Sequence, residues 1–162
     1  MNQTGPQHSI DTDVASTNHP SMANIIYPRS PRETMCGWMQ LPRYIDKIRL
    51  HFASRLAEDY QPNFGKGFDG RWLDAAEVNH EQFIEIVRNT ITDGEVADWV
   101  HANVRKPDFA KAGLREFMLD YPNADDTELQ EKLALRKKQS GLENRDDIKG
   151  FVDYIDADEG RI

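Results

Sequence analysis

Six basic side chains crowd into residues 25–56: Arg29, Arg32, Arg43, Lys47, Arg49 and Arg55, against only Glu33 and Asp46. The C-terminal stretch 141–162 reverses the balance, with seven acids (Glu143, Asp146, Asp147, Asp153, Asp156, Asp158, Glu159) against Arg145, Lys149 and Arg161. Arginine offers a planar fork that matches a carboxylate or a phosphate. Arg29 and Arg32 flank Pro28 and Pro31, in a segment whose backbone the prolines stiffen. Together with Arg43 and Arg49 they could form a pocket for a small anionic ligand; the alternative is internal salt bridging to the acidic end. Acids at a helix C-terminus oppose the helix dipole by about 0.3–1 kcal/mol each. The pattern therefore predicts that the last helix lies beside the first, with Asp158 and Glu159 meeting Arg29 or Arg32.

A second candidate is GKGFDGR, residues 65–71, inside the three-glycine stretch 63–71, which is expected to be a loop. Its glycines could bring backbone N–H groups to an anion, with Lys66 and Arg71 adding charge and Asp69 available as an acid or base. It matches neither GxxxxGK[ST] nor GxGxxG, and no strand precedes it, so a turn with positive φ at Gly65, Gly67 or Gly70 is the plainer account. The acids 153–159 fall on different faces of a helix; Asp153 and Asp156 are expected on the exposed side, and DADEG is too short for a calcium loop. His51, His80 and His101 show no metal-ligand spacing. No metal or cofactor is expected. Cys36, the sole cysteine, could be a nucleophile beside a His, but its apolar neighbours suit a buried thiol.

The elements that must position these groups are helical. Leu41, Tyr44, Ile45, Ile48, Phe52 and Leu56 share one face after Pro42. Asn79 with Gln82 starts a helix carrying Phe83, Ile84 and Val87. Thr92 with Glu95 makes a capping box ahead of Val96, Trp99, Val100 and Val104. Pro107 opens a stripe of Ala110, Leu114, Phe117, Met118 and Tyr121. Asp125 with Glu128 predicts a further capping box on a highly charged helix stopped at Gly141. Asn144 is expected to cap the last helix, with Ile148, Phe151, Val152 and Ile155 inward. No alternating strand of useful length is visible. These readings predict an all-α fold: one irregular bundle of about six helices over residues 25–162, with an extended N-terminal segment and a flexible polar tail over 1–24.

The 162-residue length fits one such domain, and the net charge of −8 disfavours nucleic acid or an anionic membrane as partner. No apolar run approaches a membrane span, no secretory signal is visible, and a lone cysteine fits a reducing cytoplasm. The oligomeric state is open.

PRSPRE, LPRYIDKIR, GKGFDGR and NRDDIKGFVDYIDADEGR, in this order, resemble a bacterial family catalogued as domain of unknown function 5069, from about Ile25 to the C-terminus. The resemblance implies a bacterial source and carries over no catalytic residue. The expected function is thus a cytoplasmic module binding a small carboxylate or phosphate through Arg29, Arg32, Arg43, Arg49, Lys66, Asp69, Arg71, Asp158 and Glu159. The alternatives are a small enzyme using Asp69, Glu159 or His51 in the same cleft, and a protein-interaction adaptor using the charged surface of residues 125–139.

Overall fold

A computed structural model describes residues 24–162. The expected tail therefore falls outside the described residues, apart from Asn24. The chain runs as two short strands, β1 (Thr34–Met35) and β2 (Trp38–Met39), then α1 (Leu41–Phe52), a 3-10 helix (Glu58–Asn63), α2 (Phe68–Ala76), α3 (His80–Arg88), α4 (Asp93–Asn103), α5 (Asp108–Leu119), α6 (Thr127–Gln139) and α7 (Phe151–Asp158). The fold is all-α, with seven α-helices among the described residues where the periodicity predicts about six.

The strands pair antiparallel, Thr34 opposite Met39 and Met35 opposite Trp38. Their two-residue turn, Cys36-Gly37, has both φ angles positive (53° and 79°), which suits the twist of a tight hairpin. The hairpin drives Trp38 and Met39 into the core and delivers Gln40, φ 72°, to the start of α1.

Leu41, Tyr44, Ile45 and Ile48 are fully buried along α1, as their spacing predicts. Phe52 is 40% exposed and Leu56 lies beyond the helix, so the stripe is shorter than expected. The helix stops because Ser54 turns left-handed (φ 55°), Arg55 N donates to Leu50 O (2.8 Å) and Ser54 N to His51 O (3.0 Å). These two bonds are the Schellman closure.

Trp38, Trp72, Tyr44 and Phe83 meet at the centre, with Trp72 and Phe83 centroids 4.7 Å apart and Trp38 edge-on to Trp72. Around them α3 contributes Val87, α4 Val96 and Val100, and α5 Leu114 and Met118. The caps at Asn79 and Thr92 form as predicted: Asn79 Oδ1 accepts from Gln82 N (2.7 Å), and Thr92 and Glu95 complete their box.

Three local expectations are corrected. Residues 63–71 are not all loop: α2 begins at Phe68 and includes Gly70, because Trp72, Leu73 and Ala76 bury one face and outweigh the roughly 1 kcal/mol helix penalty of a glycine. The N-cap of α6 is Asp126 rather than Asp125, its Oδ1 accepting from Leu129 N (3.0 Å), so no Glu stands at the reciprocal position. Residues 144–149 are not helical. Gly150 lies so close to the α5 end that a Cβ there would stand 2.7 Å from Tyr121 O, and Phe151 N donates to that same oxygen (2.9 Å). This contact sets the chain's direction and starts α7 at Phe151, where Asp153 accepts from Lys149 N and Gly150 N.

No described helix is long and apolar enough to cross a membrane.

Candidate functional site

The N-terminal segment reaches the site as extended chain, and its arginines find carboxylates from three helices. Arg29 grips Asp46 of α1 with both ends of its fork (2.9 Å each) and reaches Asp93 at the start of α4 (2.8 Å). Arg32 binds Asp156 (2.6 Å) and Asp153 of α7. Ser30 Oγ donates to the same Asp156 (2.9 Å) and accepts from Arg32 N (3.1 Å), closing a small buried knot.

Arg43 of α1 makes a two-pronged pair with Glu159, at 2.8 and 2.7 Å. Both side chains are buried, 5% and 4% exposed. Tyr60 from the 3-10 helix donates to Glu159 (2.9 Å), and Arg161 bonds Glu159 (2.6 Å), Asp156 (3.1 Å) and Pro28 O. Burial alone would raise the Glu159 carboxyl, but the Arg43 guanidinium, then Arg161 and Tyr60, hold it below its ordinary value.

One turn further along α1, Lys47 Nζ meets Asp69 (2.5 Å) and Asn63 O (3.1 Å). Asp69 is fully buried and also accepts from Gln40 Nε2 (2.8 Å) and Gly65 N (3.1 Å). Burial pushes the Lys47 ammonium down, with Asp69 opposing that shift. Beside it the Tyr44 hydroxyl bonds to His80 Nδ1, with the rings stacked at 5.9 Å. Burial pushes Tyr44 up and His80 down, so the imidazole is neutral near pH 7.

Gly65 is what lets this layer close. Its φ is 72°, and a Cβ would stand 2.4 Å from the His80 ring. Gly65→Ala is expected to cost about 1–3 kcal/mol in urea unfolding, through backbone strain and displacement of that ring. A loss below a few tenths would show the ring is free to move aside.

The network joins the cationic front to the acidic end, as the charge totals predict, but with other partners. Glu159 pairs with Arg43, not Arg29 or Arg32, and Arg32 takes Asp153 and Asp156, expected on the exposed side. The reason is that Val152, Asp156 and Glu159 follow i, i+4, i+7 and form the face of α7 turned to the N-terminal segment. Arg49 bonds Thr90 O (3.3 Å) and stands 3.9 Å from Asp93. Arg71 lies over the Phe117 ring at 4.3 Å, away from the network. Lys66 and Asp158 are exposed and belong to no ion pair among the described residues. His51 is exposed against Phe64, and Cys36 is a half-buried thiol whose pKa burial raises.

Six cations (Arg29, Arg32, Arg43, Lys47, Arg49, Arg161) thus face six carboxylates (Asp46, Asp69, Asp93, Asp153, Asp156, Glu159). The arrangement clamps the N-terminal segment onto α1, α4 and α7, and it leaves no excess positive charge for a guest. Asp46, Asp93, Tyr60 and Gln40 complete it; sequence reasoning did not single them out, since only tertiary packing gives them their role.

Positive charge without a partner lies elsewhere. A groove of about 340 Å³ runs between α6 and the segment 143–149, with Lys137, Lys138 and Lys149 on its walls and Leu133, Ala134 and Ile148 in its floor. No described carboxylate lies within ion-pair distance of these lysines. A wider hollow of about 720 Å³ at the end of α5 is acidic, with Glu116 and Asp120 beside Phe117 and Tyr121. Among the described residues no three His, Cys, Asp or Glu side chains converge as metal ligands.

Fold and network together define a helical protein whose N-terminal arm is locked down by internal ion pairs. Residues 25–161 match the family of domain of unknown function DUF5069, and the chain belongs to that family. A search of curated proteins found no match. The motifs that carry the resemblance are those that supply the network: PRSPRE, LPRYIDKIR, GKGFDGR and the C-terminal run provide Arg29 and Arg32, Arg43 and Lys47, Asp69, and Asp156 and Glu159.

Proposed function

We propose that this chain is a cytoplasmic, non-enzymatic binding module for an anionic ligand, and that the ligand sits in the lysine groove of α6 rather than among the arginines. The arginine network is the scaffold, because every carboxylate an enzyme would draw from it is held in an ion pair. The observation that carries this reading is the contrast in charge compensation: paired cations throughout the network, and in the groove the exposed Lys138 and Lys149 without an ion-pair partner over an apolar floor, with Lys137 held only by Arg145 O. Compensated guanidinium groups give up existing bonds to take a ligand, whereas exposed ammonium groups do not. A single free cysteine accords with a reducing compartment.

The test is a thermal-shift series with citrate, phosphate and nucleotides at millimolar concentration. Stabilisation by mass action is expected, about 2.7 kcal/mol at a hundredfold excess over Kd. Lys138→Glu with Lys149→Glu should remove the shift, and Arg32→Ala should lower the starting Tm yet leave the shift in place. A shift abolished only by Arg32→Ala would put the ligand among the arginines, and a flat series would rule out the anion site.

A further inference from the structure

The lysine groove has a shape as well as a charge. Its α6 wall is Gln130, Leu133, Ala134, Lys137 and Lys138, the i, i+3, i+4, i+7, i+8 face of one helix. At 1.5 Å per residue that face extends about 12 Å. A small anion covers only part of such a length. Three to four extended residues cover all of it, at about 3.3 Å each. The chemistry along the groove is also mixed: Leu133 and Ile148 are each 4% exposed and close the floor, and the ammonium groups rise at one end and on the facing wall. Glu143 is the one carboxylate of the lining, and Lys137 already donates to Arg145 O (2.8 Å), which leaves Lys138 and Lys149 free to turn toward a guest.

We propose that the groove docks an acidic segment of another protein, with an apolar side chain between carboxylates. The apolar side chain lies on Leu133, Ala134 and Ile148, and its acidic neighbours meet Lys138 and Lys149. This inference rests on the anion-binding reading above and names the partner of that same site. Charge complementarity selects the partner: the lining sets three lysines against one glutamate, and the neighbouring Asp147, which acts on Lys137, is already paired with Arg145, so the groove favours an acidic segment. The floor selects within that class, since burying an apolar side chain adds affinity that a purely polar acidic chain lacks. Lysine presents point charges rather than planar forks, which suits carboxylates arriving in more than one geometry.

Fluorescence anisotropy on the full chain separates the outcomes. The probes are a labelled peptide of Glu and Leu, a peptide of Glu and Ser matched in length and charge, citrate as competitor, and a single-stranded oligonucleotide. The expected result is saturable binding of the Glu/Leu peptide, at least about tenfold tighter than the Glu/Ser peptide and weaker at high salt. Lys138→Glu with Lys149→Glu should remove it. Ala134→Arg covers the floor with a long side chain and adds one positive charge, so it should remove the Glu/Leu preference without weakening Glu/Ser binding. All three positions are exposed, and circular dichroism verifies that each variant folds. Equal binding of the two peptides, Glu/Leu binding untouched by Ala134→Arg, or tighter binding of the oligonucleotide overturns the inference while leaving an anion site. No saturable binding of any probe, citrate included, overturns the anion-binding reading as well.

Discussion

Asp69→Ala is expected to destabilise the protein by about 3–5 kcal/mol, because it strands a buried cation. Asp69 is fully buried, and three donors converge on it: Lys47 Nζ, Gln40 Nε2 and Gly65 N. Removing the carboxylate leaves Lys47, whose side chain is 5% exposed, with Asn63 O as its remaining partner. For a chain of this size the loss corresponds to a fall in Tm of roughly 6–20 °C. The cost has a ceiling, since the stranded amine can shed its proton. Burial already pushes Lys47 down, and without Asp69 it falls further. Between that lowered pKa and the ordinary 10.5 the unfolded chain holds one more proton than the folded one. The variant therefore gains stability as pH rises through that window, and its deficit against wild type narrows. Urea unfolding at pH 7 and pH 9 measures both effects. Lys47→Met with Asp69→Leu should recover part of the loss by removing both charges, but not all of it, since Gln40 and Gly65 still lack an acceptor. A single variant that loses under 1 kcal/mol would mean that water reaches this pair.

Most features that depend on neighbours in the sequence were legible, the α6 cap being misplaced by one residue, while of the features that depend on distant partners only the summed charge could be read. The caps at Asn79 and Thr92 could be read because donor and acceptor sit within three residues. The α1 stripe could be read up to Ile48, but its end depends on a left-handed Ser54, a conformation that serine does not announce. Helix α2 was hidden by glycines: Gly65 and Gly67 do take positive φ, while Gly70 is helical because Trp72 and Asp69 are held on its buried side. The break before α7 was hidden by a backbone contact between Gly150 and Tyr121, 29 positions apart in the chain. For the site, summed charge was enough to bring the front and the end together. It could not assign pairs, since a buried Asp156 is tolerable only because Ser30, Arg32 and Arg161 surround it. The lysine groove shows the same limit: α6 reads as a charged surface, and which of its cations lack a partner is a tertiary fact.

Glu159→Gln carries the second large effect, and pH gives it a signature. Arg43 is buried and forked onto both oxygens of Glu159. Glutamine keeps one acceptor oxygen but removes the charge, leaving the buried Arg43 without its counter-charge, while the more exposed Arg161 keeps Asp156. A loss of about 2–4 kcal/mol at pH 7 is expected. In the wild type, burial pushes the carboxyl up, but Arg43 and its companions outweigh that, and the folded pKa lies below the ordinary 4.5. A depressed folded pKa means that the stabilisation is fully present above pH 4.5 and is lost as pH falls through the folded value, where the unfolded chain has already taken up its proton. Below that point the wild type carries a neutral carboxyl opposite Arg43, which is electrostatically what the variant carries at every pH. The two proteins should therefore differ most at neutral pH and converge in acid, and urea midpoints from pH 7 to pH 3 follow the convergence. A difference that stays constant with pH would assign the loss to packing rather than charge, and the ion network would then be an incidental lining of the interface instead of what holds the N-terminal arm in place.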